Sequence, residues 1–254
     1  MNLRSVRVSL EPRVTCEAWP RRVAHGWSPR LDCGVRSRAS ARLAVFASGA
    51  GSNFEVLARA AASGDLGGEI AVLLCDQPGA PVIERAHRLG VEALVLPSPA
   101  HRTRLDDEGP WLHALEARRV NGILLAGFMR RLHATLLEPF DGRMLNIHPS
   151  LLPAFPGLDA IGRAWRAGVP VTGCTVHLVN AGLDQGPILA QAEVARRADD
   201  TLAVLEARVH EAEHALYPAT VRRFLTEPWR VDGARVRFGD GPGWAGSKAG
   251  VAHG

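Results

Sequence analysis

One short segment of the chain combines two polar side chains suited to carbonyl chemistry. The segment 146–150 (NIHPS) carries Asn146 and His148, two residues apart. Because alternate residues of a strand point to the same side, both side chains would face one site. An amide N–H donor beside an imidazole that supplies a proton or a positive charge suits an oxyanion developing on a carbonyl under attack. The alternative is that both side chains only anchor an irregular loop.

A later segment, 183–187 (LDQGP), contributes a carboxylate, Asp184. If Asp184 lies near His148, its charge favours the imidazolium and raises the pKa of the imidazole. The histidine would then act as a general acid close to neutral pH. Asp is also common in turns, so a simple turn residue is the alternative interpretation.

The segment 48–53 (SGAGSN) lies between a predicted strand and a predicted helix. Its glycines let backbone N–H groups turn inward, and the helix N-terminus adds positive potential, which together suit a phosphate group. No Lys follows as in a Walker loop, and Phe54 stands where a dinucleotide fingerprint has its third glycine. The pattern favours a small phosphate monoester, with a plain tight turn as the alternative.

Strand-length apolar runs alternate with helical patterns from residue 41 onward, and such runs are typical of a parallel sheet covered on both faces. We predict an α/β fold: a doubly wound, mainly parallel sheet in a single domain, with ligands at the carboxyl ends of its strands. The predicted strands are 42–47, 70–75, 91–96, 122–126, 144–147, 172–179 and 187–194, and the helices are one ending near residue 63, 81–89, 110–119 and 200–224, followed by a hairpin at 230–237. The segment 148–157 has three prolines and a glycine, which predicts a long ordered loop.

Charge is distributed unevenly along the 254 residues. The net charge is +4, but residues 1–40 alone sum to +5 and the remainder to −1. A nucleic-acid enzyme would be expected to carry a basic face on its folded body, and no apolar run reaches membrane-spanning length. We therefore expect small-molecule substrates and neither a nucleic-acid nor a membrane partner.

The chain divides into three parts by composition. We expect a disordered Arg-rich extension at 1–40, one folded domain at 41–240 and a disordered tail at 241–254. An organellar transit peptide and a start codon placed too far upstream are alternatives for the extension. The four Cys show no CxxC spacing, which favours reduced thiols in the cytoplasm and a core position for Cys174.

Six segments follow one another in a characteristic order: SGAGSN, GFMRRL, LNIHPSLLPAFPG, GCTVHLV, LDQGPIL and EHALYP. Over residues 41–240 the chain resembles the phosphoribosylglycinamide formyltransferases (glycinamide ribonucleotide transformylases). The resemblance implies formyl transfer from 10-formyltetrahydrofolate to the amine of 5'-phosphoribosylglycinamide in de novo purine (IMP) biosynthesis. It also implies that folate is a co-substrate, that no metal takes part, and that the enzyme is a monomer or homodimer.

The resemblance also assigns roles to individual residues. The catalytic residues would be Asn146, His148 and Asp184. The acceptor substrate would be bound by Gly51, Ser52, Asn53 and Glu213. The folate donor would be bound by Arg102, Met129, Arg130, Arg131, Leu132 and Asn146.

The sequence departs from the family pattern near the proposed site. The stretch 158–161, including Asp159 and Ile161, replaces a stretch where the family commonly has one or two His, and His210 stands where a Gln often contacts substrate. His177 and His214 match family positions, but we expect both to be structural, since buried His are often simply hydrogen-bonded.

Rival functions share parts of this pattern. Formyltetrahydrofolate deformylases and methionyl-tRNA formyltransferases share the fold and the three catalytic residues, but the former lack the phosphate turn and the latter add a basic C-terminal domain. A non-catalytic nucleotide-binding protein would need the phosphate turn but not Asn146, His148 and Asp184 together. The combination favours a transferase with a phosphorylated acceptor.

Overall fold

The computed structural model describes residues 8–9, 41–96, 104–105 and 107–239, and within them the strands form one sheet. The strands are β1 (Val8–Ser9), β2 (Ala41–Ala47), β3 (Gly68–Cys75), β4 (Ala93–Val95), β5 (Gly122–Leu125), β6 (Met144–His148), β7 (Val171–Leu178), β8 (Ile188–Ala195), β9 (Trp229–Asp232) and β10 (Arg235–Phe238). The helices are α1 (Ser52–Ala62), α2 (Pro81–Arg88), α3 (Gly109–Ala117), α4 (Ala134–Leu137), α5 (Ala160–Arg166) and α6 (Leu202–Thr226).

The sheet follows the order β4-β3-β2-β5-β6-β7-β8-β10-β9, with β1 paired to β8. The strands from β4 to β6 are parallel, whereas β7 runs antiparallel to both β6 and β8. The predicted mainly parallel α/β sheet is therefore confirmed. The chain order reverses between β2 and β5, and in such sheets the crevice at this reversal is where ligands bind.

Both faces of the sheet are covered. Along β2, Leu43 and Val45 pack into one buried apolar cluster with α1 and α6, while Ala44 and Phe46 pack into a second one with α3. In the second cluster the Phe46 ring lies 5.0 Å from that of Trp111. A strand buried on both faces needs apolar residues at every position, which explains the continuous runs in the sequence.

Two short helices were not predicted. Helix α4 has only 4 residues, and α5 has 7, three of which are Ala160, Gly162 and Ala164. So few large apolar side chains give no helical period to detect. After His148, the last residue of β6, residues 149–157 form neither helix nor strand, as predicted for this loop, and include a cis Leu152–Pro153 bond. The hairpin of β9 and β10 is also confirmed.

Helix α6 begins where Thr201 Oγ1 accepts a hydrogen bond from Val204 N, and it is anchored to the sheet by Tyr217. The Tyr217 side chain is fully buried. Its hydroxyl lies 3.0 Å from the Leu125 carbonyl oxygen and 3.1 Å from that of Leu145. One shared donor thus links α6 to the last residue of β5 and to the second residue of β6. No helix in the part of the chain that the structure describes has the length and apolar character needed to cross a membrane.

We predict that Tyr217→Phe lowers the free energy of unfolding by about 1–2 kcal/mol, because it removes one buried hydrogen-bond donor while keeping the ring. Urea denaturation followed by circular dichroism measures the change. Thr226→Val is the control: it removes an exposed hydroxyl bonded within the same helix and should change stability by less than about 0.5 kcal/mol. Equal stability of Tyr217→Phe and the wild type would show that the hydroxyl does not anchor α6.

Candidate active site

The pairing of β6 with β7 brings Asn146 beside a histidine. In the antiparallel register Asn146 lies opposite His177, and His148 lies opposite Thr175. Asn146 Nδ2 is 3.1 Å from His177 Nε2. Asn146 and His148 are two residues apart at the C-terminal end of β6. Their side chains therefore lie on the same side of the strand, as the alternation of strand residues predicts.

The loop after β7 returns Asp184 to the end of β6. Asp184 Oδ2 lies 3.5 Å from His148 Nδ1, and Oδ1 lies 3.7 Å from His177 Nε2. The backbone N–H of Gly157 donates to Asp184 Oδ2 at 2.7 Å. Asp184 has a φ of 52°, a left-handed conformation that Asp tolerates better than most residues. The proximity of Asp184 to His148, which the sequence could not show, is thus present.

His177 lies at the centre of this cluster, although the sequence suggested only a structural histidine. Its Nδ1 lies 2.7 Å from the Leu178 carbonyl oxygen, and its side chain is 3% exposed. With Nδ1–H donating to that carbonyl, Nε2 faces both the Asn146 amide nitrogen, at 3.1 Å, and Asp184 Oδ1, at 3.7 Å. His177 therefore orients Asn146. The only sequence signal for this would have been the register of β6 against β7.

Burial and charge act in opposite directions on His148. Burial lowers the pKa of His148 below its ordinary value, while the Asp184 carboxylate and the Phe155 carbonyl, 2.9 Å from His148 Nε2, raise it. Asp184 acts in the expected direction, but loss of hydration outweighs its attraction, so the net pKa of His148 is lowered and not raised. Burial also opposes ionisation of Asp184, but His177, His148 and the Gly157 N–H together lower its pKa.

A pocket opens beside the cluster, between the segment that follows β5 and the loop that follows β7. Asn146, His177 and Asp184 line one part of it. Three of the residues expected to bind the donor, namely Arg130, Arg131 and Leu132, line another part. Met129 is 56% exposed and lies outside the lining. Arg102 lies outside the described residues.

The turn 48–53, which we predict to bind a phosphate and call the phosphate turn, meets α6. Gly51 precedes α1 with a φ of 76°, and a Cβ there would lie 2.3 Å from Val82 Cγ2, so only glycine fits. Asn53 Nδ2 donates to Glu213 Oε2 at 2.9 Å. Asn53 Oδ1 is buried and has no hydrogen-bond partner among the described residues. The turn and Glu213, both expected to bind the acceptor, are thus in contact.

His210, one of the departures, also contacts Glu213. Its Nδ1 lies 2.9 Å from Glu213 Oε2, and its side chain is 50% exposed while Glu213 is buried. The hydrogen bond to Glu213 raises the pKa of His210. The other two departures lie elsewhere: Asp159 pairs with Arg166 on the surface, and Ile161 is part of the apolar core.

The described residues contain no cluster of three or more His, Cys, Asp or Glu side chains that could hold a metal ion. Cys174 lies fully buried in the apolar core, as expected, and burial raises the pKa of its thiol. The polar groups at this site are an amide, two imidazoles and a carboxylate, beside a pocket and the predicted phosphate turn.

Fold and site together define the class of this protein. The family model described as formyl transferase matches residues 41–221, so the chain belongs to the formyl transferase family. The phosphoribosylglycinamide formyltransferase of Bacillus subtilis (strain 168) is 43% identical over 184 residues, covering 72% of this chain and 94% of that protein.

Two solved structures have the same fold at high sequence identity. Glycinamide ribonucleotide transformylase 1 from Symbiobacterium toebii superimposes with a TM-score of 0.76 at 40% identity, covering 80% of this chain and 96% of that chain. Glycinamide ribonucleotide transformylase 1 from Geobacillus kaustophilus superimposes with a TM-score of 0.70 at 49% identity, covering 73% of this chain and 99% of that chain. The likeness extends over nearly the whole of each of these proteins.

We predict that His148 titrates below the ordinary pKa of histidine and that Asp184→Asn lowers its pKa further, because the variant removes a nearby negative charge. Imidazole NMR titration measures both values, with His148 assigned by comparison with His148→Gln. Asp65→Asn, which changes an exposed carboxylate bonded to Ser63, should leave the titration unchanged. A His148 pKa that is unaltered or raised in Asp184→Asn would contradict the assigned interaction.

Proposed function

We propose that this protein transfers a formyl group from 10-formyltetrahydrofolate to the amine of 5'-phosphoribosylglycinamide. The products are the N-formyl compound and tetrahydrofolate, and the step belongs to de novo purine (IMP) biosynthesis. The supporting observation is the pairing of two features at one end of the sheet: the cluster Asn146, His148 and Asp184, and a phosphate turn bonded to Glu213. The relatives with high identity carry the corresponding name.

The proposed reaction begins when the neutral acceptor amine attacks the formyl carbon. A C–N bond forms, and the formyl oxygen becomes an oxyanion. The Asn146 amide and the His148 imidazolium would stabilise that charge, as fixed donors do best in a site shielded from water. His148 Nε2 lies against the Phe155 carbonyl, so the oxyanion would share or replace that hydrogen bond.

Asp184 would keep His148 in its charged form and, through water, relay the proton that the attacking amine loses. Collapse of the oxyanion then breaks the bond to N10 of the folate, which takes up that proton. This sequence forms no covalent bond to the enzyme and uses no metal. Because burial lowers the pKa of His148, a reaction that depends on the imidazolium loses rate as the pH rises.

The two substrates would occupy opposite sides of the cluster. The donor would enter the pocket lined by Arg130, Arg131 and Leu132, with Met129 and Arg102 assigned to the same site from the sequence. The acceptor phosphate and ribose would lie against Gly51, Ser52 and Asn53. The buried, unpartnered Asn53 Oδ1 supports this assignment, since such an acceptor suits a ligand hydroxyl.

Hydrolysis of the same donor, with water in place of the amine, is the main rival. The same three residues would serve it, so the distinction depends on the acceptor side. The phosphate turn and its contact with Glu213 have no task in hydrolysis, and they favour transfer to a phosphorylated amine. We place the enzyme in the cytoplasm, as a monomer or homodimer, as part of the same proposal.

The test is a spectrophotometric assay of the folate with a stable 10-formyl donor, run with and without glycinamide ribonucleotide. Turnover only in the presence of glycinamide ribonucleotide supports the proposal. Turnover without it indicates the hydrolase, and no turnover in either case indicates a binding protein or a different acceptor. Either of these two results would contradict the proposed function.

We predict that Glu213→Gln raises the KM for the acceptor about tenfold or more and changes the KM for the donor much less. The variant removes the charge that accepts hydrogen bonds from Asn53 and His210, and such charge-assisted bonds contribute about 1.5–3 kcal/mol. Steady-state kinetics with each substrate varied in turn measures the effect. Glu211→Gln, an exposed change on the same helix, is the control; an unchanged acceptor KM in Glu213→Gln would remove Glu213 from the binding site.

A further inference from the structure

A second buried ion pair lies close to the site, and its carboxylate, Asp76, has no task in the mechanism above. Asp76, directly after β3, is fully buried, and the Arg130 side chain is 5% exposed. Arg130 Nε donates to Asp76 Oδ2 at 2.6 Å, and the Gln77 amide donates to the same oxygen at 2.7 Å. The pair joins the end of β3 to the segment that follows β5.

Asp76 is held in its charged form. Burial opposes ionisation, but the Ser48 hydroxyl, the Gln77 amide and the Arg130 guanidinium together lower the pKa of Asp76. A buried ion pair is weak evidence for stability, because desolvation of both groups offsets their attraction. A geometric role for Asp76 is therefore the more informative hypothesis.

Ser48 extends this contact to the phosphate turn. Ser48 is the first residue of that turn, and its Oγ accepts a hydrogen bond from Met129 N at 3.0 Å. Its own backbone N–H donates to the Gly127 carbonyl at 3.2 Å. The turn assigned to the acceptor and the segment assigned to the donor are thus hydrogen-bonded to each other next to Asp76.

Arg130 connects the ion pair to the pocket. Its guanidinium is bonded to Asp76 through Nε, and the residue also lines the pocket. Arg has a planar group with donors in fixed directions, so fixing Nε fixes the direction of the whole group. The backbone of 129–132 is held at the same time by Ser48 Oγ, which accepts from Met129 N, and by the Leu105 N–H, which donates to the Arg131 carbonyl at 3.2 Å.

We propose that Asp76 is a positioning residue for the donor: through its ion pair with Arg130, next to the hydrogen bond between Ser48 and Met129, it fixes the segment 129–132 against the pocket. The inference rests on the proposed function, since it takes this pocket as the donor site. Asp76 itself touches no substrate. A purely structural role would instead lower stability and affect both substrates alike.

The first test is Asp76→Asn, which keeps the size of the side chain and removes its charge. We expect the affinity for tetrahydrofolate, measured by calorimetry, to fall about tenfold, as expected for the loss of a charged hydrogen bond. The KM for the 10-formyl donor should rise by about the same factor. The acceptor KM should stay within about twofold, well under the tenfold that one such bond represents. Equal changes for both substrates, or none for the donor, would overturn the proposal. Asp232→Asn, which breaks an exposed ion pair with Arg237, is the control.

A double-variant cycle tests whether Asp76 acts through Arg130. In an Arg130→Met background, Asp76→Asn should have little further effect on the affinity for tetrahydrofolate, because contacting residues couple. An undiminished effect in that background would contradict the proposal. If Asp76→Asn does not fold, Ser48→Ala decides: it removes the hydroxyl that accepts from Met129, and an unchanged donor affinity would overturn the inference.

Calorimetry separates this inference from the proposed function. A wild-type protein that binds tetrahydrofolate but transfers no formyl group would contradict the function, while weaker binding by Asp76→Asn would still support the positioning role. Conversely, normal formyl transfer with unchanged donor affinity in Asp76→Asn would leave the function intact and overturn the positioning role.

Discussion

The antiparallel pairing of β6 with β7 is the constraint on which the site depends. Its register places His177 opposite Asn146, and the loop that leaves β7 returns Asp184 to His148. A slip of one residue would turn every side chain of the strand to the opposite face. The parallel half of the sheet supplies the other parts, because the phosphate turn and the segment 129–132 both follow strands that end at the same edge.

Burial gives the cluster its electrostatic character. Less than a tenth of each side chain is exposed in His148, His177 and Asp184. Water therefore screens their charges little and competes little for their hydrogen bonds. Loss of hydration lowers the pKa of His148 more than Asp184 raises it. The imidazolium is thus a less stable species here than in water, and it depends on the neighbouring carboxylate. Such a group stabilises an adjacent oxyanion strongly, because little solvent competes with it.

Much of this could be predicted from the sequence, and what could not has identifiable causes. Continuous apolar runs predicted the parallel strands, because β2 and its neighbours are buried on both faces. The segment SGAGSN predicted a strand–turn–helix unit, because Gly51 must adopt a positive φ. The hydrogen bond between His177 and Asn146 and the ion pair between Asp76 and Arg130 are long-range contacts, which no local sequence pattern encodes. The net pKa of His148 depends on the depth of burial, which the sequence does not provide.

In the proposed mechanism Asp184 acts on the chemical step through His148. Turnover of Asp184→Asn, compared with the wild type at saturating concentrations of both substrates, tests it most directly, together with substrate affinities measured by calorimetry. We expect kcat to fall by about 10²–10⁴-fold, the range expected for loss of acid–base assistance, while both substrates still bind. Near-normal kcat in a folded variant would contradict the role of Asp184 and the mechanism built on it.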